Sequence, residues 1–367
     1  MGSGQSAPEL TVLHLISTGG FYGAERMLLD HVLHAPASAR HRVLFIDAPD
    51  SVVQRFGRAG VDCSRVAGIG SLVRILRSEG GAAILNCHGY KALAWAVFCA
   101  PVQRRALVAT LHGFTPVSRK QRFYGRLNLL LCRLPIVRRV ACVSASIADI
   151  ARSAGIPEDR IAVLPNAIAA VPAESGTVVE AGLEPALPGP LVGFVGRLRS
   201  EKGPDLFLEC FEHIRREVPQ ARAVLLGDGP DRAKLETRLR SSGFGDTVRM
   251  AGYVDDIGPW LRRMDVLVLS SRTEGTPMIL LEAMHTGTPV AAFSVGGVAD
   301  LLDGGNCGLL ARPDDVGGLA RQALRLLRDP GLRTRLSRQA RVRGTQQYGI
   351  DRSASTWNAL YRTVAAS

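Results

Sequence analysis

Several features that mark whole classes of proteins are missing from this chain of 367 residues. Its seven cysteines are dispersed without C-x-x-C spacing, which argues against a disulfide framework or a zinc site and for reduced thiols. No apolar run approaches the roughly 20 residues that a membrane-spanning helix needs. The N-terminus, "MGSGQSAPEL", lacks the basic and apolar parts of a signal peptide. We therefore expect a cytoplasmic protein, long enough for two α/β domains.

Acidic residues are absent between Glu79 and Asp149, a stretch that holds ten basic residues. Residues 1–170 carry 20 Lys and Arg against 10 Asp and Glu, whereas the remainder carries 25 against 23. The net charge of +12 therefore belongs almost entirely to the first half. This asymmetry predicts an anionic partner for that half only. We do not expect nucleic acid, because no RNA- or DNA-binding motif accompanies the charge.

Strand-like apolar runs alternate with helix-like segments, as in parallel sheets with crossover helices. Six such runs stand in the first half, from "TVLHLI" to "RIAVLPN", and five in the second, from "LVGFVGR" to "PVAAFSV". We predict an N-terminal domain over 1–170, a Pro- and Gly-rich linker over 171–190 and a C-terminal domain over 191–345. Ligands are expected at the carboxyl ends of the strands. A final helix, 346–367, should return to the first domain, anchored by Tyr348, Trp357, Leu360 and Tyr361.

The first strand runs into the glycine turn "STGGFYGAE". From Thr18 to Gly23 the spacing is that of the dinucleotide fingerprint G-x-G-x-x-G, with threonine in the first glycine's place. The second strand, "HRVLFID", ends in Asp47, close to where such folds carry an acid for the ribose. Taken alone, this turn is also compatible with an NAD-dependent oxidoreductase.

The most informative stretch is "DVLVLSSRTEGTPMILLEAMHTGTPVAA". A buried strand enters a turn with Glu274, Pro277 stands where a first helical residue would be, and Glu282 lies more than a turn into the helix. The free N–H groups at about 276–279 suit an anionic ligand. Acids beside an anion site are reasonable when they bind hydroxyl groups rather than phosphate.

This stretch resembles the E-x7-E segment of the family 4 glycosyltransferases, retaining sugar-nucleotide enzymes of the GT-B fold. The segments "HGYKA", "TLHGF", "VSASIADIA", "GFVGRLRSEKG", "LLGDGPDRAKLE" and "RMAGYVDDI" match the family in the expected order, over nearly the full length. The resemblance implies two Rossmann-like, doubly wound domains that face a central cleft. The N-terminal domain would bind the acceptor and the C-terminal domain the nucleotide sugar.

The resemblance also implies roles for individual residues. Arg197 and Lys202 would hold the donor diphosphate, Glu274 the sugar and Glu282 the ribose, while His112 would lie beside the sugar. The catalytic set is thus Glu274, His112, Arg197 and Lys202. Further donor contacts are expected from Gly19, Gly20, Gly23, Tyr253, Thr276, Pro277, Met278 and Ile279. Acceptor contacts are expected from Tyr22, His88 and Lys91. The family needs no metal and no cofactor besides the NDP-sugar, and front-face attack, with the departing phosphate taking the acceptor's proton, would explain retention.

The segment "SRKQRFYGRLNLLLCRLPIVRR" contains seven basic residues and no acid. Two interpretations stay open for it. Its apolar residues could form one helical face that lies on an anionic membrane, with Arg119, Lys120, Arg122 and Arg126 on the rim. The same face could instead pack on the protein's own sheet. The apolar positions in question are Phe123, Leu127, Leu130, Leu131 and Leu134.

These observations favour a retaining hexosyltransferase that acts on a lipid-linked or saccharide acceptor, in exopolysaccharide or other surface-glycan synthesis. The expected partners are a nucleotide sugar, that acceptor and an anionic membrane surface, with a location in the cytoplasm or peripherally on the inner face of the membrane. Three alternatives stay open: a GT-B-fold sugar-nucleotide epimerase, the oxidoreductase, and a non-catalytic assembly partner.

Overall fold

The computed structural model describes residues 10–79, 83–103, 105–113, 119–169, 189–243 and 246–366. These residues divide into two units, one formed by the chain up to residue 169 together with the residues from 350 onward, the other by the chain between them. The predicted linker, 171–190, lies outside the described residues except for its last two. Each unit is described by itself below.

The first unit is built on a parallel sheet of seven strands in the order β3-β2-β1-β4-β5-β6-β7. Its strands are nearly continuous apolar runs because helices cover both faces of the sheet. The strands and the first six helices are β1 Leu10–Ser17, α1 Gly23–Leu33, β2 Ala39–Ile46, α2 Asp50–Arg58, β3 Cys63–Arg65, α3 Ile69–Ser78, β4 Ala83–His88, α4 Tyr90–Gln103, β5 Leu107–Leu111, α5 Arg119–Cys132, β6 Val137–Cys142, α6 Ala145–Ser153 and β7 Ile161–Val163.

The second unit repeats this plan with six parallel strands in the order β10-β9-β8-β11-β12-β13. Its elements are β8 Leu191–Val195, α7 Pro204–Glu217, β9 Arg222–Leu226, α8 Arg232–Ser242, β10 Val248–Gly252, α9 Gly258–Arg263, β11 Val266–Leu269, α10 Met278–Thr286, β12 Val290–Phe293, α11 Val298–Leu301, β13 Leu309–Ala311, α12 Val316–Arg328 and α13 Pro330–Tyr348. Two parallel-sheet α/β units confirm the predicted fold class. The edge strands β3 and β13 were not predicted.

In each sheet the strand order reverses at one place. In the first unit this switch point lies between β1 and β4, and in the second between β8 and β11. Loops that leave the carboxyl ends of two such strands run to opposite faces of the sheet and leave a crevice between them, where ligands of doubly wound folds bind. The glycine turn follows β1, and the Glu274 loop follows β11, so both predicted sites lie at switch points.

The C-terminal helix, α14 (Ile350–Ala365), packs on the first unit. Trp357 and Tyr361 are buried there against Val12 of β1 and other core side chains. The Tyr361 hydroxyl accepts a hydrogen bond from the side-chain amide of Asn86 at 2.9 Å. Tyr348 is the last residue of α13 and belongs to the second unit, so it does not anchor the final helix as predicted.

Helix α5 does not bury the apolar face that the sequence suggested. Its buried side chains are Asn128 and Cys132. Phe123 and Leu130 are 62% and 57% exposed, and Leu127 and Leu131 are half-buried. The interpretation of an apolar face packed on the protein's own sheet therefore accounts for only part of the predicted set. Among the described residues, no helix has the length and apolar character to cross a membrane.

Candidate functional site

The loop between β11 and α10 carries the densest set of predicted site residues. Glu274 lies in this loop, and Glu282 lies in the second turn of α10. The helix begins at Met278, with Pro277 as its N-cap, so it starts one position later than the sequence suggested. Thr276, Pro277 and Met278 are buried, so what this segment presents at the start of the helix is mainly backbone.

Lys202 and Glu274, 72 positions apart in the sequence, form an ion pair at the switch point. The Lys202 ammonium donates to both carboxylate oxygens of Glu274, at 2.7 and 2.8 Å. The Glu274 side chain is only 5% exposed, whereas that of Lys202 is 32% exposed. A carboxylate buried to this extent needs a cationic partner. The pair therefore gives the buried carboxylate a cationic partner and leaves the lysine with access to solvent.

The loops that carry these two residues are tied together by other side chains. The Ser270 hydroxyl donates to the carbonyl oxygen of Gly203 at 2.7 Å. Arg272 donates two hydrogen bonds to the Asp205 carboxylate, at 2.9 and 2.7 Å. Burial of Asp205 acts to raise the pKa of its carboxyl, but the hydrogen bonds from Arg272 outweigh it and hold that pKa below its ordinary value. The Lys202 loop is thereby fixed against the strand that leads to Glu274.

Glycine is required where a third loop approaches Glu274. Gly296, after β12, has φ of +52°. A Cβ atom built on it would lie 1.8 Å from the carbonyl oxygen of Glu274. Its neighbour Gly297 donates its N–H to the carbonyl oxygen of Gly275 at 3.1 Å. Two glycines after β12 therefore support the backbone on which the Glu274 side chain stands.

Arg197 and Tyr253 lie on loops at the same edge of the second sheet, after β8 and β10, with β9 between these two strands. Arg197 is half-buried in the loop that follows β8, and the next residue, Leu198, donates its N–H to the carbonyl oxygen of Asp228 at 3.0 Å. Tyr253 follows β10, is 58% exposed and donates its hydroxyl to Asp255 at 3.2 Å.

In the first unit, Tyr22 explains part of the glycine turn after β1. Its ring lies over Gly20, where an added Cβ would come within 2.7 Å of the ring atoms. The backbone N–H of Tyr22 donates to the Glu25 carboxylate at 2.9 Å, which starts α1 at Gly23. No described atom lies within 4 Å of a Cβ built at Gly19. Gly19 is therefore the position of the turn where another backbone or ligand can approach.

The acid that the oxidoreductase interpretation relies on already has a partner. Asp47, in the left-handed conformation with φ of 54°, pairs with the Lys91 ammonium. Lys91 also lies 5.7 Å from the centre of the Trp95 ring. An acid engaged with a lysine is a poor ligand for ribose hydroxyls, so this pairing weakens the oxidoreductase interpretation.

His88 and His112 belong to a row of four hydrogen-bonded histidines across the first sheet. His112 Nε2 lies 3.0 Å from His88 Nδ1, His88 Nε2 lies 3.2 Å from His14 Nδ1, and His14 Nε2 lies 2.9 Å from His41 Nδ1. The sequence pointed to His88 and His112 and missed His14 and His41, which stand inside strands. The information needed to find them is the strand order, because β2, β1, β4 and β5 become neighbours only in the folded sheet.

The histidines of this row are neutral at physiological pH. Burial lowers the pKa of His112 to about 4 and that of His41 to about 4. The pKa values of His14 and His88 lie well below the ordinary value, first because of burial and then because of their neighbouring histidines. A neutral His112 can donate or accept a hydrogen bond near the end of β5, but it does not supply positive charge.

Two family models match this chain in succession. The model described as Glycosyltransferase Family 4 matches residues 23–170, and the model described as Glycosyl transferases group 1 matches residues 189–329. The first match falls in the first unit except for its last residue, and the second match falls in the second unit.

Individual relatives agree with these models. The 2-deoxystreptamine glucosyltransferase of Streptomyces kanamyceticus is 29% identical over 74% of this chain and 75% of its own length. The lipopolysaccharide core biosynthesis mannosyltransferase LpsB of Rhizobium meliloti (strain 1021) is 31% identical over 50% of this chain and 54% of its own. A crystal structure of Anabaena Alr3699/HepE in complex with UDP-glucose has a TM-score of 0.82 at 19% identity, covering 96% of this chain and 99% of that chain. This last likeness is one of fold.

Proposed function

Because the chain belongs to the family 4 glycosyltransferases, we propose that it moves a hexosyl unit from an NDP-sugar to a lipid-linked or saccharide acceptor with retention of configuration. The observation that carries the proposal is the Lys202–Glu274 pair at the switch point of the second sheet. Membership of the family favours transfer over the epimerase, oxidoreductase and assembly-partner alternatives.

Lys202 and Arg197 suit the leaving group of this reaction. Breaking the bond between sugar and diphosphate requires stabilisation of the negative charge that develops on the phosphate. An ammonium has three N–H donors, of which two directions are taken by Glu274, so one is left for a phosphate oxygen. Arg197 can add a forked contact to the same group.

Glu274 suits the sugar rather than nucleophilic attack. Its carboxylate is buried and paired, which favours a fixed acceptor of hydrogen bonds from sugar hydroxyl groups. On this proposal the departing phosphate takes the proton of the acceptor on the front face, and no glycosyl–enzyme intermediate forms. This differs from retaining glycosidases, where a second carboxylate attacks the sugar.

A thermal-shift panel tests the donor class. One relative is named a glucosyltransferase and another a mannosyltransferase, and the HepE structure contains UDP-glucose, so UDP-glucose heads a panel of UDP-, GDP- and ADP-sugars. A donor at 100 times its Kd stabilises the fold by about 2.7 kcal/mol, which is a rise in Tm of about 5 °C. NAD and NADP should give no shift. Stabilisation by a nicotinamide cofactor alone would overturn the proposal.

We further propose that the acceptor side of the protein lies on an anionic membrane. Helix α5 presents exposed Arg119, Lys120, Arg122 and Arg126 beside the exposed Phe123. The neighbouring helix α4 exposes Phe98, at 70%. Exposed aromatic side chains with a basic rim are what interfacial helices use to bind anionic lipid. This supports delivery of a lipid-linked acceptor at the inner face of the membrane.

Vesicle sedimentation measures this association. A variant with glutamine at the four basic positions should move from vesicles of phosphatidylglycerol and phosphatidylcholine to the supernatant, since each basic side chain contributes about 1 kcal/mol near such a surface. A matched variant neutralises four exposed arginines of the second unit and should sediment normally. Equal sedimentation of both variants would contradict the proposal. The control positions are Arg321, Arg325, Arg335 and Arg338.

A further inference from the structure

Three histidines of the first unit bring ring nitrogens together beneath the C-terminal helix. His14 lies on β1, His31 on α1 and His41 on β2, and one nitrogen of each lies within 4.8 Å of the others. His14 and His31 are buried, whereas His41 is half-buried. The Trp357 and Tyr361 rings of α14 lie 5.4 and 6.1 Å from the His31 ring, between centres. The cluster is therefore enclosed but has one member near the surface.

His31 is the unusual member of this cluster. Neither of its ring nitrogens has a hydrogen-bond partner among the described residues, although the side chain is only 4% exposed. Buried polar groups in folded proteins nearly always have a partner. His14 and His41, by comparison, are hydrogen-bonded to each other at 2.9 Å. An imidazole without a partner, beside two further imidazoles, indicates a ligand that is not one of the protein's own groups.

The donor set also indicates which ligand. Neither ring nitrogen of His31 has a hydrogen-bond partner among the described residues, so the imidazole has a lone pair to offer an ion. The cluster contains no carboxylate or thiolate. Neutral imidazoles suit zinc, cobalt, nickel and copper ions, whereas magnesium and calcium ions require oxygen ligands.

We propose that His14, His31 and His41 form a binding site for a divalent transition metal ion, of which Zn²⁺ fits best. In a tetrahedral zinc site with Zn–N distances of about 2.0–2.1 Å, ligand nitrogens are about 3.3 Å apart. The nitrogens of His14 and His41 lie 2.9 Å apart and the three ligand nitrogens lie within 4.8 Å of one another, so rotation of the side chains would have to bring the His31 nitrogen closer to the other two. Water would take the fourth position, and the half-buried His41 gives the ion a path inward.

The metal would also have a consequence for the predicted active site. If His14 binds through Nε2, its proton stays on Nδ1 and is donated to His88 Nε2, at 3.2 Å. His88 then carries its proton on Nδ1 and donates it to His112 Nε2, at 3.0 Å. The ion would thus fix the proton of His112 on Nδ1, as outer-shell hydrogen bonds do in known metal sites. Only this consequence depends on the proposed function; the site itself does not.

The site is tested by metal binding to the full chain, which is purified without a polyhistidine tag and stripped of metal ions with a chelator. After dialysis against Co²⁺ or Zn²⁺ we expect one ion per chain by elemental analysis, and Co²⁺ should give the visible absorption of a tetrahedral site. His31→Gln and His41→Gln should each lose the ion. His34→Gln is the matched control, because His34 lies at the C-cap of the same helix, outside the cluster, with its Nδ1 2.9 Å from the Asp30 carbonyl oxygen.

Circular dichroism and thermal melts establish that each variant is folded before its metal content is compared. If wild-type protein takes up neither ion stoichiometrically, or if both folded variants retain the ion, the proposal is wrong and the histidines are a hydrogen-bonded cluster only. Long-range ¹H–¹⁵N spectra of histidine-labelled protein report which ring nitrogen of His112 carries the proton. Zn²⁺ should place the His112 proton on Nδ1, and an unchanged His112 would refute the coupling. These measurements need no donor or acceptor, so their failure is distinct from failure of the proposed transfer activity.

Discussion

Replacing Glu274 by glutamine should lower the rate of sugar transfer by about 10²–10³-fold, the range found when one preorganised polar contact is removed from an active site. Glutamine keeps the shape of the side chain but loses the charge that pairs with Lys202. The sugar hydroxyls would lose a charged acceptor, and the Lys202 ammonium would lose the partner that aims it. The rate is measured with the donor identified in the thermal-shift panel.

A substitution of Lys202 tests the other member of the ion pair. Lys202→Met should also lower transfer strongly, and it should destabilise the fold because it leaves the buried Glu274 carboxylate without its cation. The variant that carries both Lys202→Met and Glu274→Gln should recover part of that stability, as expected when two groups interact directly. Glu212→Gln is the control, since Glu212 pairs with Arg238 at 2.8 Å on α7, outside the predicted site. A Glu274→Gln enzyme with near-normal turnover would refute the site assignment.

The sequence could predict this site in its parts but not in its assembly. Glu274 and Lys202 each followed a recognisable apolar strand, and the family resemblance gave them separate ligands, sugar and diphosphate. Their direct contact at 2.7 Å depends on β8 and β11 being neighbours in the sheet. That order is a property of the whole sheet, and no local pattern of apolar residues encodes it.

The same limit applies to elements and to histidines. Long apolar runs such as β1 were predictable because a strand covered on both faces has a distinct composition. The edge strands β3 and β13 have three residues each, which leaves little pattern to recognise; β7 is equally short and was predicted only because it stands in the longer run "RIAVLPN". His14 sits in the middle of an apolar strand, and only the parallel register brings it beside β2 and β4. Such clusters become visible when strand order is known.

Replacing Gly296 by alanine should destabilise the second unit and lower transfer together. Alanine at φ of +52° is strained, and its Cβ would lie 1.8 Å from the carbonyl oxygen of Glu274, so the backbone itself has to move. Backbone strain and crowding together should lower the free energy of unfolding by about 3–4 kcal/mol. Because the displaced backbone carries Glu274, the folded fraction should also transfer sugar more slowly. Chemical denaturation and initial rates measure the two effects.

Gly304 provides the comparison that separates strain from crowding. Its φ of +61° is close to that of Gly296, but a Cβ at Gly304 would have no neighbour within 4 Å. Gly304→Ala should therefore cost only the left-handed conformation, about 1 kcal/mol, and leave the transfer rate unchanged. If both variants lost stability equally, backbone strain alone would explain Gly296. If Gly296→Ala kept a normal rate per folded molecule, the approach of Gly296 to Glu274 would have no part in placing the carboxylate.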